Sequence, residues 1–136
     1  MLIVKNMTIV ANEMSFKNHE LLAGDYTAKP LITRKTGKLN NKDNNYGVEM
    51  SVIFKDQKDS RFPVDLCVTI TGIFDIENGN EKEIRDFLKI QGVQMVYPYL
   101  RAMVSNIFTA ALLPPVVLPI IDAYKFKEGK EQDILE

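Results

Sequence analysis

The chain has 136 residues, 46% of them hydrophobic, enough for one domain with its own core. Seventeen Lys and Arg against eighteen Asp and Glu give a formal net charge of −1, which removes the electrostatic case for nucleic acid as a partner. One cysteine, Cys67, excludes an internal disulfide framework. The opening MLIVKNMTIVANEM is apolar but lacks a basic leader region and a small-residue cleavage pattern, so a single cytoplasmic domain over residues 1–136 is expected.

Met7 and Ile9 alternate with polar residues, and so do Met14 and Phe16, but on opposite parity. A strand carrying both pairs on one face must bulge near residues 11–13. Residues 17–29 read as loop, with Gly24 and Asp25 as a turn signal, and residues 30–34 as a short edge strand opened by Pro30. Residues 35–45 read as a polar loop. Tyr46, Val48, Met50, Val52 and Phe54 then define one strand face, and Phe62, Val64, Leu66, Val68 and Ile70 another, across the polar turn 56–60. This predicts an antiparallel hairpin with one buried face. A turn over 77–80 leads to Asn80, which can cap a short helix with Glu83 three residues on. Gly92 is expected to separate that helix from a longer one. Strands first and helices last predict an α+β domain with helices on one side of an antiparallel sheet.

Residues 92–121 carry one charge, Arg101. Tyr97, Leu100, Val104, Ile107, Phe108 and Ala111 follow helical spacing, while Val96, Met103 and Ala110 make the other faces apolar too, so this helix needs partners on several sides. Leu113, Pro114 and Pro115 are expected to end it, and residues 116–121 to run extended. Residues 102–121 approach the roughly 20 apolar residues of a membrane span. Pro114, Pro115 and Pro119 break that run, and irregular backbone facing lipid is costly, so no insertion is expected. The tail from residue 125 is charged and reads as frayed or a short solvated helix.

Chemistry-bearing constellations are sparse. His19 and Cys67 are each alone in kind and distant in sequence, zinc would need more ligands, and no glycine-rich phosphate loop is present. Asp75 and Glu77 sit where a strand end carries charge for solubility. Arg101 reads as a snorkelling or ion-paired cation fixing the helix. No enzyme, cofactor or metal is expected.

The run Val96, Tyr97, Pro98, Tyr99, Leu100, Arg101, then Leu113–Pro114 and Leu118–Pro119 to Asp122, Ala123 and Tyr124, resembles the SecB protein-export chaperones. Glu13 to Phe16 is similar to the family's first-strand ending, and Gly72, Ile73, Phe74 to the close of its fourth strand. The resemblance implies a four-stranded antiparallel sheet followed by a long packed helix, assembled as a dimer of dimers. It implies ATP-independent binding of unfolded or precursor polypeptides, for export, in a hydrophobic groove. Client contacts would come from Met14, Phe16, Phe74, Tyr99, Leu113, Pro114, Val116, Val117, Leu118, Ile120 and Ile121. Subunit contacts would come from Val96, Leu100, Met103, Val104 and Ile107. Contact with the motor ATPase SecA would fall near Asp65 and Cys67. This chain departs from the family where Ala102 replaces a glutamate and Thr109 to Leu112 replace a glycine-rich helix end, which weakens the case for SecA and fits solitary members tied to toxin–antitoxin modules. Two alternatives are a dedicated chaperone of one partner, such as an antitoxin, and a small-ligand-binding α+β protein.

Overall fold

In the computed structural model, the structure describes residues 1–19, 26, 29–39, 44–56 and 61–123. Four strands come first: β1 (Ile3–Asn18), β2 (Leu31–Lys38), β3 (Asn45–Phe54) and β4 (Val64–Glu77). They form one antiparallel sheet in the order β1-β4-β3-β2. The expected hairpin is β3 and β4, with Val48, Met50, Val52 and Phe54 opposite Gly72, Ile70, Val68 and Leu66. All four apolar residues on the β3 side are fully buried or nearly so.

β1 solves its parity problem with bulges. Pairing with β4 slips at Lys5 and at Asn12, so Met7, Ile9, Met14 and Phe16 all lie opposite inward residues of β4. The Asn12 bulge is held by Thr71, whose Oγ1 donates to Asn12 Oδ1 at 2.5 Å. β2 is longer than its sequence indicates, and residues 35–38, expected as loop, are strand. Its Lys and Thr content hides a strand that pairs fully with β3. The turn at Gly24 and Asp25, most of the 56–60 turn, part of the 35–45 loop, Tyr124 and the tail lie outside the described residues.

After β4, Asn78 takes a left-handed φ of 65° in the turn. Asn80 and Glu83 form the reciprocal cap of α1 (Glu81–Phe87). Gly92 does not separate two helices. A π-helical turn, Leu88–Gly92, joins α1 continuously to α2 (Val93–Ala110). Gly92 is helical and close-packed instead: a methyl there would meet Val48 Cγ2 at 2.9 Å. Likewise a Cβ on Gly72 of β4 would collide with Val96 Cγ2 of α2. These two glycines let the helix lie directly on β3 and β4.

Arg34 of β2 is only 5% exposed. Its Nη1 donates to the carbonyl of Lys89 in the π-helical turn and, at 3.2 Å, to that of Ala123. It therefore ties the edge strand to the helix junction and to the end of the C-terminal segment. Among the described residues no helix is long and apolar enough to cross a membrane.

Replacing Gly72 with Val should cost about 1–3 kcal/mol in denaturant unfolding, because the added carbons overpack against Val96. A Gly72→Ala, Val96→Ala pair should recover much of that loss. An unchanged midpoint for Gly72→Val would mean that the helix can ride higher on the sheet.

Candidate functional site

The helix end builds one side of the site. Leu113 N–H donates to Phe108 O and Leu112 N–H to Thr109 O, both at 3.0 Å. This pairing requires a left-handed residue at its centre, usually glycine, and here Leu112 fills it at φ 64°. The helix thus stops at Ala110, ahead of the prolines expected to end it. The turn brings Leu113 back toward Phe108, and both line the same depression.

From there residues 113–123 run back along α2 as an extended strap. Ser105 Oγ donates to Val116 O at 2.9 Å, Arg101 Nε to Leu118 O at 3.2 Å, and Tyr97 Oη to Pro119 O at 2.5 Å. The three donors are spaced four residues apart, one helix stripe. Burial raises the pKa of Tyr97, so its phenol remains a donor.

Beneath the strap's start lies an aromatic cluster. Phe54 and Phe62 stack with centroids 5.4 Å apart, and Phe16 and Phe62 meet Phe108 edge-on at 6.0 and 6.3 Å. A cavity of about 370 Å³ opens over it, lined by Tyr26, Phe62, Phe108, Leu113, Pro114 and Val116. Large apolar side chains also stand exposed: Met14 at 55% on β1, Leu112 at 92% at the helix end, and Val117 at 67% and Ile120 at 87% on the strap. A larger depression of about 970 Å³ lies at the other end of α2, between Arg34, Glu83, Asp86, Lys89 and Gln94. Its lining is mixed, with Met1, Leu2, Phe87 and Ile90 beside those charges.

The structure redistributes several expected site residues. Phe74 and Leu118 are buried and present no surface to a client, because the sheet core encloses the first and α2 the second. Tyr99 is 49% exposed but projects from the helix face away from the sheet. Val116, Leu113 and Ile121 are half-buried, and Pro114 is exposed. Of the expected subunit contacts, Val96, Leu100 and Val104 are completely buried against the chain's own sheet and are unavailable to a partner. Met103 and Ile107 remain half-buried. Leu112 was missed, and the signal for it was the absent glycine at a helix end.

Asp65 and Cys67 face outward on the uncovered sheet surface, but each is bonded within the chain. Cys67 Sγ donates to Glu13 Oε1 at 3.3 Å, and burial beside that carboxylate raises its pKa, the reverse of what a nucleophilic thiol needs. Asp65 Oδ1 accepts the Asp56 N–H at 3.1 Å, and Oδ2 lies 3.0 Å from His19 Nε2. That second contact is an ion pair only where the imidazole carries a proton. Asp56 Oδ1 in turn accepts from Arg61 Nε at 2.7 Å and from Phe62 N at 3.0 Å. This lock holds Phe62 at the cavity. Arg61 first, then the Phe62 N–H, lowers the Asp56 pKa, while the Asp56 N–H and then His19 lower that of Asp65.

Depressed carboxylate pKa values contribute stability above the ordinary Asp value of about 3.9 and lose it as pH falls through the folded values. The melting-temperature gap between wild type and Asp56→Asn should be constant above roughly pH 5 and close below it. A gap that widens on acidification would contradict the lock. Separately, Leu112→Gly should raise unfolding stability by about 1 kcal/mol by relieving the left-handed leucine. A loss in urea unfolding would show that the Leu112 side chain packs more than its exposure indicates.

A SecB family profile, described as preprotein translocase subunit SecB, matches residues 10–132. An uncharacterized protein of Methanocaldococcus jannaschii is 28% identical over 121 residues, covering 88% of this chain and 75% of that protein. The protein-export protein SecB of Neisseria meningitidis is 33% identical over 88 residues, covering 64% of this chain and 60% of its own length. The fold is similar to the SecB-like chaperone of Mycobacterium tuberculosis, solved in complex with a peptide from the HigA1 antitoxin, with a TM-score of 0.72 and 16% identity over 89% of this chain and 91% of that one. With the profile running from the middle of β1 past the end of the strap, the chain belongs to the SecB family.

Proposed function

We propose that this protein is an ATP-independent chaperone that holds non-native polypeptides against the strap and the aromatic cavity. The observation that carries this reading is the apolar cavity walled by Phe62, Phe108, Leu113, Pro114 and Val116, in a chain whose Met14, Leu112, Val117 and Ile120 also stand exposed. Such a surface is costly in a lone soluble domain and is usually a binding site. Burying each of these side chains gains about 1.5–3 kcal/mol, against an association cost of 4 kcal/mol or more. One short segment therefore binds weakly, whereas a long unfolded chain gains by engaging several sites. Apolar contact without a directed polar code gives affinity with little sequence selection.

The reading includes a homotetramer built as a dimer of dimers. The α2 stripe of Met95, Tyr99, Ala102 and Asn106 is exposed and helically spaced, so it replaces Val96, Leu100 and Val104 as the proposed subunit contact, beside Met103 and Ile107. The precursor-export role belongs to this proposal. The case for SecA is its weaker part, because Asp65 and Cys67 already contact His19 and Glu13. A dedicated antitoxin chaperone is the second reading, favoured by the antitoxin peptide bound to the mycobacterial relative. The two differ in client range.

Light scattering should give four times the 15.5 kDa of one chain. Near-stoichiometric protein should suppress aggregation of several unrelated unfolded proteins, or of a single partner on the second reading. Val117→Ser with Ile120→Ser should weaken binding of a reduced, unfolded test protein about tenfold and leave the circular dichroism spectrum unchanged. A monomer that ignores unfolded chains would sink the proposal.

A further inference from the structure

The strap poses a problem in backbone bookkeeping. Pro114, Pro115 and Pro119 cannot donate, and among the described residues no backbone–backbone hydrogen bond involves residues 114–121. Neither a strand ladder nor a helix holds this segment. Yet Leu118 and Ala123 are buried, and a buried carbonyl without a donor is costly. The observed donors are side chains, Tyr97, Arg101 and Ser105 of α2 and Arg34 of β2.

We infer that Tyr97, Arg101 and Ser105 are positioning residues: a ladder on α2 that sets where the apolar wall stands without touching the client. The inference rests on the proposed client site and adds the residues that control it. Four residues of helix rise about 6 Å, and two residues of extended chain span about 6.6 Å. Ser105 and Arg101 therefore match the carbonyls of Val116 and Leu118 in register, with the strap antiparallel to α2. Tyr97 has a longer reach and takes the adjacent Pro119 carbonyl. At the far end Arg34 holds the Ala123 carbonyl.

The consequence is a division of labour along the strap. Val116 and Leu118 offer their carbonyls to the helix, while the residue between them, Val117, turns its side chain to solvent, as does Ile120 beyond Pro119. Anchoring through carbonyls leaves the side chains of Val117 and Ile120 uncommitted. It also makes the wall rigid before a client arrives, which lowers the ordering cost of binding. Arg101 is thereby explained without an ion pair: the one cation of residues 92–121 serves as a directed donor.

The test uses the full chain. Tyr97→Phe and Ser105→Ala remove a hydroxyl each with little change of shape, and Arg101→Lys keeps the charge but loses the Nε donor. Strap exchange is read as thiol–disulfide exchange of a buried Leu118→Cys with a soluble aromatic disulfide in a Cys67→Ser background, with Ile70→Cys and Val104→Cys as core controls. Affinity is read with reduced, carboxymethylated lactalbumin. Each ladder variant should speed strap exchange roughly fivefold with the controls unmoved, and the Tyr97→Phe, Ser105→Ala pair tenfold or more. Client affinity should fall in the same order. Val117→Ser should lower affinity without changing exchange, which separates contact from positioning.

Unchanged strap exchange in the double variant overturns the ladder. Faster exchange with undiminished affinity overturns its link to the client. If wild type binds no unfolded chain, the client reading falls, and the exchange data still decide whether the ladder holds the strap.

Discussion

A sheet of four strands is about 19 Å wide at ordinary strand spacing, whereas one helix with its side chains is about 10 Å across, so a single helix cannot cover it. This mismatch shapes the whole molecule. α2 lies over the two central strands, where Gly72 and Gly92 remove the side chains that would hold it off. The inward residues of β3 and β4 are accordingly buried, while those of β1 grade from half-buried Met7 and Ile9 to exposed Met14. The second covering element is the strap. It hides Leu118 and Ala123 and stops short of enclosing the aromatic cluster.

An extended strap is a difficult element to hold. It lacks the internal bonds of a helix, and its prolines bar it from joining the sheet as a central strand. Its support comes from donors on α2 and from Arg34. The polar residues of α2 thus stand where the strap needs them. The same logic extends to the ends of β3 and β4, where Asp65 and Asp56 accept the amides of Asp56 and Phe62 and so hold Phe62 in place.

The hairpin, the bulge of β1 and the Asn80–Glu83 cap were legible in the sequence, because period-2 alternation, a parity clash and a short capping motif are local signals. β2 reads short, ending at Arg34, because Lys35, Thr36 and Lys38 look like solvent residues, and only the fold reveals that Thr36 faces inward. A helix apolar on every side does not disclose which stripe meets its own sheet, and so Val96, Leu100 and Val104 were assigned to a partner. Alternation likewise could not say that Leu118 points in while Val117 points out, since the prolines upset the register. The family motif located the strap and Arg101. It could not supply the bonds between them.

Leu112 brings these threads to one residue. The helix must turn sharply there to bring Leu113 over Phe108, and glycine would make that turn without strain. Leucine at φ 64° costs backbone energy, and its exposed side chain adds an unfavourable contact with water. A purely structural turn would gain from losing both. On the proposed reading, the leucine extends the apolar rim where the strap begins, and the folded state carries that cost so that the rim is already formed when a client arrives. The incomplete cover over the sheet is then the site itself.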